Sequence, residues 1–134
     1  MNRPTGLTAA DLLVTARSGY GWVLACSPQR VIRAGRPRRP GGPALTVTRV
    51  LGARHLLQAM ATAWAEAAGL PLGPVLLAGA AVDATHAASM LGVAVISRPL
   101  RRAALADAVL EVGLGAFGVV ATARLRAAPV ARAQ

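Results

Sequence analysis

Residues 78–96 read AGAAVDATHAASMLGVAVI, and this stretch decides the predicted fold. It is rich in small apolar side chains, yet Asp83, His86 and Ser89 recur in it at intervals of three residues. On a helix, Asp83 and His86 share one face with Gly79, and Ser89 lies at the edge of that face. The pattern therefore predicts a helix that is apolar all round except for one polar face.

The composition of the chain favours a membrane as the surroundings of this helix. Hydrophobic residues make up 54% of the chain and charged residues only 15%, whereas roughly 25% of the residues in a soluble domain are charged. A carboxylate in the middle of a membrane helix costs about 2.5 to 3.5 kcal/mol and requires a partner. With 134 residues, the chain is predicted to form a single integral membrane domain, 1–134.

The net charge of +10 raises the question of a nucleic-acid partner. Aromatic residues, which form the stacking platforms of many nucleic-acid-binding modules, are only 3% of the chain. The arginines also concentrate in the connections between apolar stretches, so no nucleic-acid partner is expected. Cys26 is the only cysteine, which excludes an internal disulfide and a cysteine metal site. No cofactor and no metal are predicted.

Apolar stretches separated by Pro, Gly and Arg predict an all-α fold, a four-helix transmembrane bundle. Thr8 and Asp11 form a potential cap pair at the start of the first helix. Arg17 lies within that helix, which leaves open whether it spans the bilayer or lies at the interface. The four predicted helices cover residues 8–32, 45–68, 74–96 and 102–124.

The arginines between the helices predict a topology. The connections 30–42 and 97–102 are basic, while 69–74 carries no arginine. Since the first and third connections of an up-and-down bundle lie on the same side, the positive-inside rule predicts that 30–42 and 97–102 are cytoplasmic. The expected location is the plasma membrane, with the lipid bilayer as partner and a homo-oligomer or another membrane protein as a further possible partner.

A second polar set lies on the helix predicted at 45–68. If this helix and the helix at 74–96 form an antiparallel hairpin, the two polar sets lie at the same depth. We therefore expect an Arg54–Asp83 ion pair or a His55–Asp83 hydrogen bond. The predicted polar cluster comprises Arg54, His55, Gln58, Asp83, His86 and Ser89.

Four segments carry a resemblance to a known group of proteins. They are YGWVLACSPQRVIR at 20–33, RVLGARHLLQA at 49–59, LAGAAVDATHAASMLGVAV at 77–95 and RRAAL at 101–105. This set resembles small multi-pass actinobacterial membrane proteins similar to the DUF4267 family. The resemblance implies a four-helix integral membrane protein without an assigned activity.

Several roles are open for the polar cluster. The simplest is structural, in which polar contacts fix helix pairing in an accessory membrane component. The alternative is an intramembrane enzyme that acts on a lipid or isoprenoid-like substrate, with Asp83 and His86 as acid and base and His55 as a further catalytic candidate. A proton or solute path and a metal site from His55, Asp83 and His86 are the remaining hypotheses, the metal site being disfavoured by the nearby charge of Arg54.

Two further acidic residues lie in the helix predicted at 102–124. Asp107 and Glu111 are four residues apart and thus share a helix face. Asp107 is predicted to lie near the membrane interface, and either acid can pair with Arg101, Arg102 or Arg17.

Overall fold

The computed structural model describes residues 7–35 and 41–127, and all regular structure in these residues is helical. This confirms the predicted all-α class. The helices are α1 (Ala9–Cys26), α2 (Pro28–Gly35), α3 (Gly42–Ala67), α4 (Leu72–Ile96) and α5 (Arg101–Ala127), with a single 3-10 turn at Arg98–Leu100. They form two compact units, unit 1 (Met1–Ala67) and unit 2 (Ala68–Gln134).

The start of α1 is fixed by the predicted cap pair. The Asp11 amide donates to the Thr8 hydroxyl at 3.1 Å, and the Thr8 amide donates to the Asp11 carboxylate at 2.9 Å. These reciprocal bonds form a capping box, which satisfies two backbone donors that a helix start leaves open. The prediction for Thr8 and Asp11 is confirmed.

The helix predicted at 8–32 is in fact two helices. Ser27 leaves the helical conformation with φ −130° and ψ 43°, because a residue before proline is disfavoured in the α region. Pro28 then opens α2, where its missing N–H and fixed φ suit the first helical position. The Ser27 carbonyl accepts from the Arg30 amide at 3.0 Å.

The predicted basic loop at 30–42 needs a related correction. Its first residues, including Arg30 and Arg33, belong to α2, and its last residue, Gly42, opens α3. The remaining arginines of that loop, Arg36, Arg38 and Arg39, lie outside the described residues.

In unit 1, α1 packs against α3 through a pair of glycines. A Cβ atom at Gly52 would lie 2.7 Å from the Gly21 carbonyl oxygen and 2.7 Å from the Ala25 amide nitrogen. A Cβ atom at Gly21 would lie 2.8 Å from the Gly52 carbonyl oxygen. The two backbones therefore approach more closely than any residue with a side chain permits, as at small-residue crossings of membrane helices.

The end of α3 follows the sequence prediction. The helix stops at Ala67, and Gly69 has φ 66°, the left-handed conformation that commonly follows a helix end. Pro71 then precedes α4.

In unit 2, α4 and α5 form an antiparallel helical hairpin. A Cβ atom at Gly115 would lie 3.4 Å from the Ala80 carbonyl oxygen, and one at Gly73 would lie 3.6 Å from Thr122. At the other end of the hairpin, the Arg101 side chain donates to the Ala94 carbonyl at 2.9 Å. This bond places a cation on the C-terminal carbonyls of α4, where the helix dipole favours positive charge.

Two helical segments among the described residues are long and apolar enough to cross a membrane. They are Leu72–Ile96 and Arg98–Ala127, with mean hydropathies of 1.4 and 1.8. Only 28% of the most apolar part of each is buried, whereas a core helix of a soluble protein is mostly buried. Neither α1 nor α3 meets the same criterion, so the four predicted spans are supported for two helices only.

Candidate functional site

The interiors of both units contain polar side chains where a soluble protein has apolar ones. Among the largest fully buried side chains, leucines are joined by charged and polar groups. These groups are Arg17, His55 and Thr62 in unit 1 and Asp83 and Glu111 in unit 2. Charged side chains are almost never fully buried unless they are paired, and burying them is costly. They are therefore the first candidates for a site.

The exposed surface of the helices is apolar. Large hydrophobic side chains face outward on both units, including Trp22, Val47, Val50, Leu57, Met60 and Trp64 in unit 1 and Val82, Leu91, Val95, Ile96, Val109, Val112 and Val119 in unit 2. Single exposed apolar residues are normal, but continuous apolar surface marks contact with a partner or a membrane.

Hydroxyl groups along the helices are satisfied within their own helix. Seven of them donate to the carbonyl four residues earlier, those of Thr15, Thr46, Thr48, Thr62, Thr85, Ser89 and Thr122. A hydroxyl bonded in this way needs no water, so it is tolerated in apolar surroundings.

In unit 1 the polar interior centres on His55, which is fully buried on α3. The Arg54 guanidinium donates to His55 Nε2 at 3.1 Å. Because a guanidinium only donates, Nε2 is the acceptor in this contact. The Tyr20 ring from α1 meets the imidazole edge-on, with centroids 4.9 Å apart and an interplanar angle of 68°. His55 is thereby held from two helices.

In unit 2 the polar interior joins α4 to α5. His86 Nε2 donates to the Asp107 carboxylate at 2.8 Å, between side chains that are 22% and 18% exposed. A carboxylate on one ring nitrogen fixes the tautomer and orientation of an imidazole, as in catalytic and metal sites. Glu111, fully buried one turn further along α5, offers a carboxylate oxygen to the same cluster.

Asp83 lies one turn before His86 on the same face of α4 and is fully buried. It packs against the gap left by Gly115, where a Cβ atom would lie 3.4 Å from the Asp83 Cβ. Gly115 is in turn one helical turn beyond Glu111. The facing surfaces of the hairpin thus carry three carboxylates and one imidazole.

The predicted site residues are divided between the two units. Arg54 and His55 are in contact in unit 1, and Asp83 and His86 share one face of α4 in unit 2. Ser89 lies apart from that face, because it is exposed and its hydroxyl donates to its own helix. The Arg54–Asp83 and His55–Asp83 pairings would join residues of different units and stay predictions. Gln58 is half-buried on α3.

Sequence reasoning missed two members of the unit 2 cluster. Asp107 accepts a hydrogen bond from His86, a contact that the sequence analysis did not predict, and its pairing with an arginine stays a prediction. Glu111 is fully buried beside that pair, and its pairing with an arginine stays a prediction. Their signal was present in the sequence, since two acids at i and i+4 within an apolar helix mark one polar face.

Unit 1 also holds an open basic cavity of about 330 Å³ where α1 meets α2. Arg30 and Arg49 line it together with Ser27 and Gln29. Arg30 belongs to the connection 30–42 that the charge pattern predicts to be cytoplasmic, and Arg49 lies in α3.

The comparisons with known proteins add no relative. No family model matches the chain, and no curated protein or solved structure matches it significantly. The likeness to the DUF4267 family therefore stays a prediction, and the function is argued from the molecule itself.

Proposed function

We propose that the protein is a small multi-pass integral membrane component with a structural or accessory role. The observation that carries this proposal is the reversed distribution of polarity, with charged groups buried and leucine, valine and tryptophan exposed. In water this arrangement would leave apolar side chains exposed to solvent and would remove charged groups from it, and both are unfavourable. In a bilayer the apolar side chains face lipid and the charged groups are kept away from it. The lipid bilayer is then the principal partner, and the small-residue faces suit a homo-oligomer or another membrane protein.

The proposed location is the plasma membrane, with the connections 30–42 and 97–102 on the cytoplasmic side. The basic cavity of unit 1 supports this orientation, because Arg30 and Arg49 suit anionic lipid headgroups at the cytoplasmic leaflet. Arg98 and Arg101 give the connecting turn of unit 2 the same sign of charge.

In this role the buried polar groups fix the pairing of helices. The bilayer provides little hydrophobic drive for one helix to pack on another, so hydrogen bonds such as that of His86 with Asp107 supply part of the specificity. Asp83 is the sharpest test, since it is fully buried.

The test combines membrane extraction with stability. The wild type and Asp83→Asn are expressed, and their membranes are washed with alkaline carbonate. We expect both to stay in the membrane, and Asp83→Asn to unfold at lower temperature in detergent. Release of the wild type by carbonate would contradict integral insertion. An Asp83→Asn variant as stable as the wild type would contradict the structural role.

The second candidate is an intramembrane enzyme for a lipid or isoprenoid-like substrate. It is favoured by the His86–Asp107 hydrogen bond, which orients an imidazole that is still 22% exposed. His86 and Asp83 would act as base and acid. This function predicts that Asp83→Asn keeps its fold and stability while turnover of the substrate class is lost, the opposite of the structural outcome.

A further inference from the structure

We propose that unit 2 binds a divalent transition-metal ion through His86, Asp107 and Glu111. One ligand atom from each of these residues lies within 4.8 Å of the other two. The inference rests on the geometry of unit 2 alone and holds for either function above. It shares only His86 with the sequence hypothesis of a His55, Asp83 and His86 site, and it takes its other two ligands from α5.

The helices place the three ligands on facing surfaces. Asp107 and Glu111 are four residues apart on α5 and so project from one face, and His86 projects towards them from α4. Gly115, one turn beyond Glu111, allows α4 to approach closely at this level. Two rigid helices hold the ligands more firmly than a loop does.

The distances suit a small ion after a small adjustment. Ligands bonded to zinc at about 2.0 to 2.2 Å lie roughly 3 to 3.5 Å from one another. His86 Nε2 and the Asp107 oxygen, at 2.8 Å, are already close to that spacing. The upper bound of 4.8 Å must shorten by roughly 1 to 2 Å when the ion binds. Binding at Nε2 replaces the proton that now joins His86 to Asp107.

The donor set selects the class of metal. One imidazole nitrogen and two carboxylate oxygens suit Zn²⁺, Mn²⁺ and Fe²⁺, whereas Ca²⁺ and Mg²⁺ prefer oxygen alone. Within unit 2, the residues 103–123 and 72–97 contain no arginine. The four arginines of α5, Arg101, Arg102, Arg124 and Arg126, lie near its two ends, and two of the three proposed ligands are carboxylates, whose negative charge suits a divalent cation. Three protein ligands also leave a coordination position for water or a substrate.

The test measures Zn²⁺ binding to the full chain, purified in detergent without a polyhistidine tag. Metal content after dialysis and calorimetric titration are compared for the wild type, His86→Ala, Asp107→Asn and Glu111→Gln. Glu66→Gln, an acid-to-amide change in unit 1, is the matched control. Helicity by circular dichroism identifies any variant that fails to fold.

We expect one Zn²⁺ per chain for the wild type and for Glu66→Gln. Each ligand variant should bind more weakly by at least the factor of about 10 to 100 seen when outer-shell partners of metals are removed. Zn²⁺ should also raise the unfolding temperature of the wild type but not of Asp107→Asn, because only binding to the folded state stabilises it. A wild type that binds no Zn²⁺, or ligand variants that bind as the wild type does, would overturn the proposal.

Discussion

Units 1 and 2 are both built from paired helices with polar interiors, but they differ in how those helices meet. In unit 1, backbone meets backbone at Gly21 and Gly52, and a Cβ atom at Gly52 would lie 2.7 Å from two backbone atoms. In unit 2, a Cβ atom at Gly115 would lie 3.4 Å from the Ala80 carbonyl oxygen. The packing of α1 on α3 in unit 1 thus depends on a close approach of two backbones at glycines. The packing of α4 on α5 in unit 2 depends more on polar contacts between side chains.

The two units differ equally in charge and hydropathy. Within the ranges 7–35 and 41–127, the buried ionisable groups of unit 1 are Arg17 and His55, and those of unit 2 are Asp83 and Glu111. Both long helices of unit 2 meet the criterion for a membrane span, and neither α1 nor α3 of unit 1 does. The hydropathy of the sequence therefore identifies the helices of unit 2 as candidate membrane spans. In unit 1, the positions of Gly21 and Gly52 identify where α1 and α3 pack together.

The largest effect is expected at the crossing of unit 1. Gly52→Ala places a methyl group 2.7 Å from the Gly21 carbonyl oxygen and the Ala25 amide, and backbone atoms cannot move aside cheaply. We expect a loss of about 3 kcal/mol, the upper end of the usual cost of overpacking. Thermal unfolding in detergent, followed by circular dichroism, measures it. Stability equal to that of the wild type would show that this crossing is not as close as described.

The next effect concerns the side-chain contact of unit 2. Asp107→Ala removes the carboxylate that accepts from His86, and we expect a loss of about 1.5 kcal/mol, the low end for charge-assisted bonds because both side chains are partly exposed. Ser89→Ala is the control, since its hydroxyl bonds only to its own helix. Equal stability of the two variants would mean that the bond contributes nothing to the pairing of α4 and α5.

A smaller effect is expected at the helix starts, where the units also differ. α1 begins with a capping box, whereas Pro71 gives α4 no side-chain cap. Thr8→Ala should therefore cost unit 1 about 1 kcal/mol. Hydrogen exchange of the first turn of α1, compared with Thr15→Ala, detects the loss. Unchanged protection in Thr8→Ala would show that the cap is dispensable.

The smallest effect is expected at Gly115, the counterpart of Gly52. Gly115→Ala meets the Ala80 carbonyl oxygen and the Asp83 Cβ at 3.4 Å, so a tight contact offsets the gain in helix propensity. The net change should stay within about 0.5 kcal/mol. Gly113→Ala, which meets no atom within 4 Å, is the control and should be slightly stabilising. A large loss of stability in Gly115→Ala but not in Gly113→Ala would show that the helices of unit 2 pack as closely at a glycine as those of unit 1 do.

The sequence predicted the parts of this fold that depend on neighbours along the chain. The Thr8 cap, the helix end before Gly69 and the helix from 74 to 96 all follow from local rules. Pro28 predicts that the first helix closes near Ser27, and α1 does end there, but the second helix that begins at Pro28 was not separated from the predicted range 8–32. Local sequence rules therefore predicted where helices form more accurately than where one helix ends and the next begins.

The candidate site could be predicted only in part. Asp83 and His86 were recognised because a polar face in an apolar helix is conspicuous. The proximity of Asp107 and Glu111 to His86 was not predicted, because the contact between α4 and α5 is not visible in the sequence. That contact depends on which helix pairs with which, and this is a property of packing rather than of local sequence.

The most direct test of membrane embedding is the accessibility of an outward-facing residue of unit 2. Val109 is 72% exposed on α5, so Val109→Cys would react readily with a water-soluble maleimide if its surroundings were water. In native membranes, with Cys26 replaced by alanine, we expect Val109→Cys to stay unlabelled. Leu70→Cys, in the connection before α4, should be labelled once the membrane is permeabilised so that the maleimide reaches that side. Equal labelling at both positions would contradict the account.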